Sequence, residues 1–103
     1  MTDSPSLAIV LDSRPDLPAI LLKELYGVTG RSSDELHRAI AAGAPVYSAE
    51  LFGNDHIEVV PRLEKTVAFC ERLKLPFHVE ETYDGETEVI GLDVMRNILD
   101  SSI

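Results

Sequence analysis

The spacing of apolar and polar positions marks eight successive elements. Leu7-Ala8-Ile9-Val10-Leu11 is a continuous apolar run closed by Asp12-Ser13-Arg14-Pro15. A short, branched run of this kind is the pattern of a strand buried on both faces, and therefore of a central strand. Leu17, Ile20, Leu21 and Leu25 recur at helical spacing up to Gly27, which predicts a first helix over 17–26 with Gly27 as its stop. After Val28-Thr29-Gly30-Arg31, the stretch Ser32-Ser33-Asp34-Glu35 has the form of a capping box. In it Ser32 accepts from the Glu35 amide while the Glu35 side chain reaches back. The second helix, 33–42, turns Leu36, Ala39 and Ile40 inward and ends at Gly43; the short link between the two helices makes them an αα-hairpin.

Residues 45–52 form a weaker strand, interrupted by Ser48 and Glu50 and therefore placed at a sheet edge. Gly53-Asn54-Asp55 supplies a turn and a cap, and Ile57, Val60, Leu63, Val67, Cys70 and Leu73 form the longest helical stripe. Pro61 disturbs that stripe, because proline is comfortable only in a first turn. The expectation is either an irregular 56–60 or a helix that begins near Pro61. Pro76 stops this helix, and Phe77 to Tyr83 alternates as a half-buried strand does. Asp84-Gly85 is a two-residue hairpin signal, with Glu86 to Ile90 returning. Gly91-Leu92-Asp93 leads into a last helix whose packing residues are Val94, Met95, Ile98 and Leu99. That helix can pack on its own sheet or on a second copy of the chain, so a homo-oligomer stays open.

The order β-α-α-β-α-β-β-α describes an α+β fold: a two-layer sandwich with helices on one face of a mostly antiparallel sheet. A chain of 103 residues makes one domain, since two cores would each be too small. Met1 to Pro5 reads as a polar lead-in expected to be mobile. Hydrophobic residues at 45% and charged residues at 26% are ordinary for a globular domain and exclude a disordered or disulfide-scaffold chain. Nine Lys and Arg against eighteen Asp and Glu give a net charge of -9. That charge repels phosphates and anionic lipid, which excludes a general nucleic-acid-binding or membrane-surface role. The first apolar run is short and has no basic stretch before it, so neither a signal peptide nor a membrane span is expected, and a cytoplasmic protein is the simplest reading.

Candidate chemistry changes this picture little. Cys70 is the only cysteine, so there is no intrachain disulfide and no cysteine-cluster metal site; its place on the apolar stripe reads as a core thiol. His56 stands at a helix start and His78 on the polar face of its strand, and no spacing brings metal ligands together. Gly30-Arg31-Ser32-Ser33 could hold an anion on free amides, but Ser32 and Glu35 consume those amides as a cap. No phosphate loop or nucleophile motif is present, and no cofactor is expected. The acidic stretches Glu80-Glu81 and Asp84 to Glu88 read as outward charges of a hairpin, which keep its edge from pairing with other sheets.

The stretch Leu22-Lys23-Glu24-Leu25-Tyr26-Gly27-Val28-Thr29-Gly30, with Ile9-Val10-Leu11 before it and Glu35, Ala44-Pro45 and Lys74-Leu75 after it, resembles the C-terminal domain of the bacterial ribosomal large-subunit stalk protein. That fold is shared with the Clp-protease adaptor that reads N-terminal residues. The resemblance covers residues 7–81; its most specific part is Thr29-Gly30, with Lys23 six residues before the Thr and Glu35 five after the Gly. It implies the sandwich fold and a surface on the first two helices that binds other proteins. In the stalk family that surface recruits translation factors through basic residues. Here Lys23 and Glu35 match, whereas Asp34 and His37 stand at lysine positions, Tyr26 stands at an arginine position, and Asp12-Ser13 replaces the adaptor's Asn-Asp loop. Reversed charge in a recognition patch replaces attraction by repulsion, so the factor-recruiting role does not carry over.

The first expectation is accordingly a non-enzymatic module that binds another protein through the αα-hairpin, with Lys23, Arg31, Asp34, Glu35, His37 and Arg38 as the polar part of the contact. A second is an immunity protein or inhibitor whose acidic surface neutralises a basic partner. A third is a small enzyme with a cleft that sequence does not reveal.

Overall fold

The structure, a computed structural model, describes residues 5–51 and 56–101. The lead-in over 1–4, Phe52 and the turn and cap expected at Gly53-Asn54-Asp55 lie outside the described residues. The elements follow the expected order: β1 (Ser6–Leu11), α1 (Ala19–Thr29), α2 (Ser33–Ala42), β2 (Tyr47–Glu50), α3 (His56–Arg72), β3 (Phe77–Tyr83), β4 (Glu86–Ile90) and α4 (Leu92–Ser101). The fold is α+β, and the four strands form one sheet in the order β2-β1-β3-β4. Each adjacent pair is antiparallel.

Register explains the two faces. Ile9 lies opposite Tyr47 on one side and Val79 on the other, so these side chains share a face with Leu7 and Leu11, and all five are buried. This face joins the helices in one core, which includes Leu25, Leu36, Leu63 and Met95. The other face carries Ser48, His78, Glu80 and Thr82, all at least partly exposed. Val10 on that face is buried as well, so β1 is the doubly buried central strand its sequence describes.

Two helix boundaries depart from expectation for identifiable reasons. α1 runs through Gly27, because the left-handed residue that ends it is Gly30 (φ 78°), whose N–H donates to the Tyr26 carbonyl. Pro18 precedes the helix in an extended conformation instead of joining it, and its carbonyl accepts from the Leu21 and Leu22 amides. α3 begins at His56 and continues through Pro61 without a break; the proline deletes one N–H of the ladder, but the helix keeps its packing residues Val59, Leu63, Val67 and Cys70 in the core. The hairpin turn is as expected: Asp84 (φ 52°) and Gly85 (φ 81°) are both left-handed, the conformation that matches strand twist. In α4, Met95 and Leu99 enter the chain's own core, Val94 is exposed, and Arg96 pairs with Glu64 of α3 at 3.4 Å. The last helix therefore packs on its own sandwich.

Candidate protein-interaction surface

Glycine at position 30 does more than end α1. A side chain there would meet Arg62 Nη1 at 2.7 Å, and Arg62 uses that approach to donate to the Val28 carbonyl at 3.4 Å. The turn between α1 and α2 is thus tied to α3. On its other side the Thr29 hydroxyl donates to the Leu25 carbonyl at 2.9 Å and accepts from the Arg31 amide at 3.2 Å. These contacts hold the αα-hairpin at a set angle.

On α2, Ser32 accepts from the Glu35 amide at 3.2 Å as the capping box requires. The reciprocal half differs from expectation: Glu35 Oε1 takes the Ser32 hydroxyl at 3.2 Å instead of the Ser32 amide, and Oε2 lies 3.6 Å from Arg31 Nε. Arg31 competes for that carboxylate because its own position is fixed from below, by Nη1 donating to the Pro45 carbonyl at 2.9 Å and the Val46 carbonyl at 3.5 Å. Arg38 Nε donates to the Asp34 carbonyl at 3.3 Å.

Three of the six residues expected to form the polar contact, Arg31, Glu35 and Arg38, come together along an open cleft of about 530 Å³ between α2 and β2. Lys23 lies on the outer face of α1, and Asp34 and His37 are exposed on α2; none of these three lines the cleft. The hairpin also exposes two side chains outside that set. Ile20 is 76% exposed and Tyr26 51% exposed, on the same outer arc of α1 as Lys23. The sequence pattern placed Ile20 inward, and the structure corrects this. The expected stripe counts from Leu17, which lies before the helix; within α1 the buried residues are Leu22, Leu25 and Thr29, and Ile20 falls on the opposite side.

A second polar cluster forms on the open face of the sheet, where His78 bridges Asp12 at the end of β1 and Glu80 on its own strand (2.8 Å to Glu80). Its signal was the pairing of Val10 with His78, which no local pattern discloses. Glu80 and then Asp12 hold the imidazole pKa above its ordinary value of 6.5. Only the imidazolium donates to both carboxylates at once. Because the folded-state value is raised, this contribution to stability is fully present below about pH 6.5 and is lost as pH rises through the folded value. Urea melts of the wild type and His78→Gln are expected to differ most near pH 6 and to converge in alkaline solution; a difference constant across that range would contradict the assignment.

Cys70 is fully buried, and burial, reinforced by the neighbouring Glu71 charge, pushes its thiol up to about 12. Among the described residues no cluster of His, Cys, Asp or Glu could hold a metal ion, and no helix is long and apolar enough to cross a membrane. No family model, curated protein or solved structure matches the chain.

Proposed function

We propose that this protein is a non-enzymatic, cytoplasmic module that binds another protein through the outer side of its αα-hairpin. The observation that carries the reading is the exposure of Ile20 and Tyr26 beside Lys23 on α1. An aromatic and a branched side chain held out on a rigid helix are the usual anchors of an interface, and a neighbouring cation adds orientation. Asp34 and His37, exposed on α2, supply the polar rim, while Arg31, Glu35 and Arg38 line the cleft between α2 and β2. The stalk-domain resemblance supports a binding role for these two helices, and Tyr26 at an arginine position shifts the patch from basic toward apolar. A partner with an apolar pocket fits it better than an acidic one.

The test is capture of a stoichiometric partner by the tagged full chain and by the double variant Ile20→Asp/Tyr26→Asp. Both positions are exposed, so the variant is expected to melt like the wild type while affinity falls about tenfold or more. Retention of the partner at unchanged affinity would reject the α1 surface. A second reading, neutralisation of a basic partner, draws on the β3–β4 hairpin, where Glu81, Glu86 and Glu88 surround the exposed Tyr83 in a depression of about 150 Å³. Salt separates the two readings, since an acidic patch loses its partner as ionic strength rises and an apolar anchor does not.

A further inference from the structure

We infer that the outer edge of β2 and the cleft beside it receive an extended acidic segment of a partner protein, added to the sheet as a fifth strand. This rests on the reading of the chain as a protein-binding module and assigns the chemistry of a partner segment.

Among the described residues β2 is an outermost strand of the sheet. The Leu51 amide donates to the Pro5 carbonyl at 2.9 Å on one side of β1, and the Asp12 amide donates to the Pro76 carbonyl at 2.9 Å on the other. With the register Leu7↔Ala49 and Ile9↔Tyr47, pleat alternation turns the peptide groups of Tyr47 and Ala49 toward β1 and those of Ser48 and Glu50 outward. An incoming strand pairs with that outward row, the mode by which exposed sheet edges take extended peptides.

The cleft sets which peptide. Its wall on the α2 side is cut low by Ala39 and Ala42, and its charged groups are Arg31 and Arg38 against Glu35. Glu35 is already engaged by Arg31 and Ser32. Arg38 commits only its Nε, so the remainder of its guanidinium has no partner among the described residues. A cationic cleft on a chain of net charge -9 is a local reversal of sign that selects carboxylates. Glu50 is not among the residues that line the cleft, to which β2 contributes Ser48. The other edge strand, β4, carries Glu86 and Glu88, which repel the same peptide and leave β2 as the edge it can join.

The probe is a fluorescein-labelled peptide Thr-Glu-Val-Glu-Thr-Glu-Val, with two twins: one with Lys for every Glu, the other N-methylated at alternate amides. The full chain is used throughout, with anisotropy for affinity and amide hydrogen exchange by NMR for position. The acidic peptide is expected to bind and to slow exchange at Ser48 and Glu50, while each twin binds at least tenfold more weakly. Arg38→Glu is expected to lower affinity at least tenfold. Ser48→Pro, which removes one outward N–H and leaves the β1 ladder whole, is expected to do the same without shifting the melt. Equal binding of the N-methylated twin, protection elsewhere on the chain, indifference to both substitutions, or no binding at millimolar protein would each overturn the inference. If a captured partner is lost on Ile20→Asp/Tyr26→Asp but kept on Arg38→Glu and Ser48→Pro, the protein-binding reading stands and the β2 edge is not its site.

Discussion

Replacing Leu25 by Ala is expected to destabilise the protein by about 3 kcal/mol, the middle of the range for emptying a buried leucine site. Leu25 is 0% exposed and lies on α1, the helix packed against both α2 and α3. Its removal leaves a cavity in the core that α1 shares with α2 and α3. A domain of this size has roughly 5–15 kcal/mol in all, so the variant loses a large share of its stability. The melting temperature should fall by about 12–24 °C, at roughly 4–8 °C per kcal/mol. Ile20→Ala on the same helix is the control: with its side chain 76% exposed, it should change stability by about 0.5 kcal/mol or less. Chemical denaturation of the two variants checks the contrast. Equal losses would mean that α1 is rotated from the orientation described.

The Cys70 thiol is expected to react about a thousandfold more slowly in the native protein than in the unfolded chain, because its pKa rises from near 9 to about 12. Only the thiolate attacks, and each unit removes a factor of ten of it at a fixed mildly alkaline pH. Burial adds a steric term in the same direction, since reagent reaches the sulfur only when α3 opens. Iodoacetamide labelling at pH 8, in buffer and in urea, followed by mass, gives the ratio. A native rate within tenfold of the unfolded one would show that α3 opens readily and would restore Cys70 as a candidate nucleophile. The expected inertness fits a packing role beside Leu63 and Val67.

Elements whose determinants are local were legible in the chain. The Asp84-Gly85 hairpin, the Ser32 cap and the αL stop at Gly43 each depend on residues within a few positions of one another, so residue type and spacing suffice. The alternation in β3 and the doubly apolar run in β1 likewise foretold which strand is central. Misreadings arose where a local signal had a stronger competitor. Gly27 looked like a stop, but Gly30 ends the helix, because Gly30 is the residue that takes the left-handed conformation (φ 78°) and returns its N–H to the Tyr26 carbonyl. Pro61 looked like a boundary, but the packing of Val59 and Leu63 on either side of it carries α3 through.

The candidate site divides in the same way. Sequence alone determined the α+β order, the capped αα-hairpin and the identity of most core positions, because helical and strand periodicity record which side of each element meets water. It also named Arg31, Glu35 and Arg38, but only within a set of six with Lys23, Asp34 and His37. Only the tertiary structure decided that Arg31, Glu35 and Arg38 line a cleft with the edge of β2, that Ile20 and Tyr26 face solvent, and that Asp12, His78 and Glu80 meet on the open sheet face. Asp12 and His78 are far apart along the chain, and the register that joins them is set by burying Ile9 against Val79. Such a pairing is chosen by the whole core at once, so no window of sequence around either residue contains it.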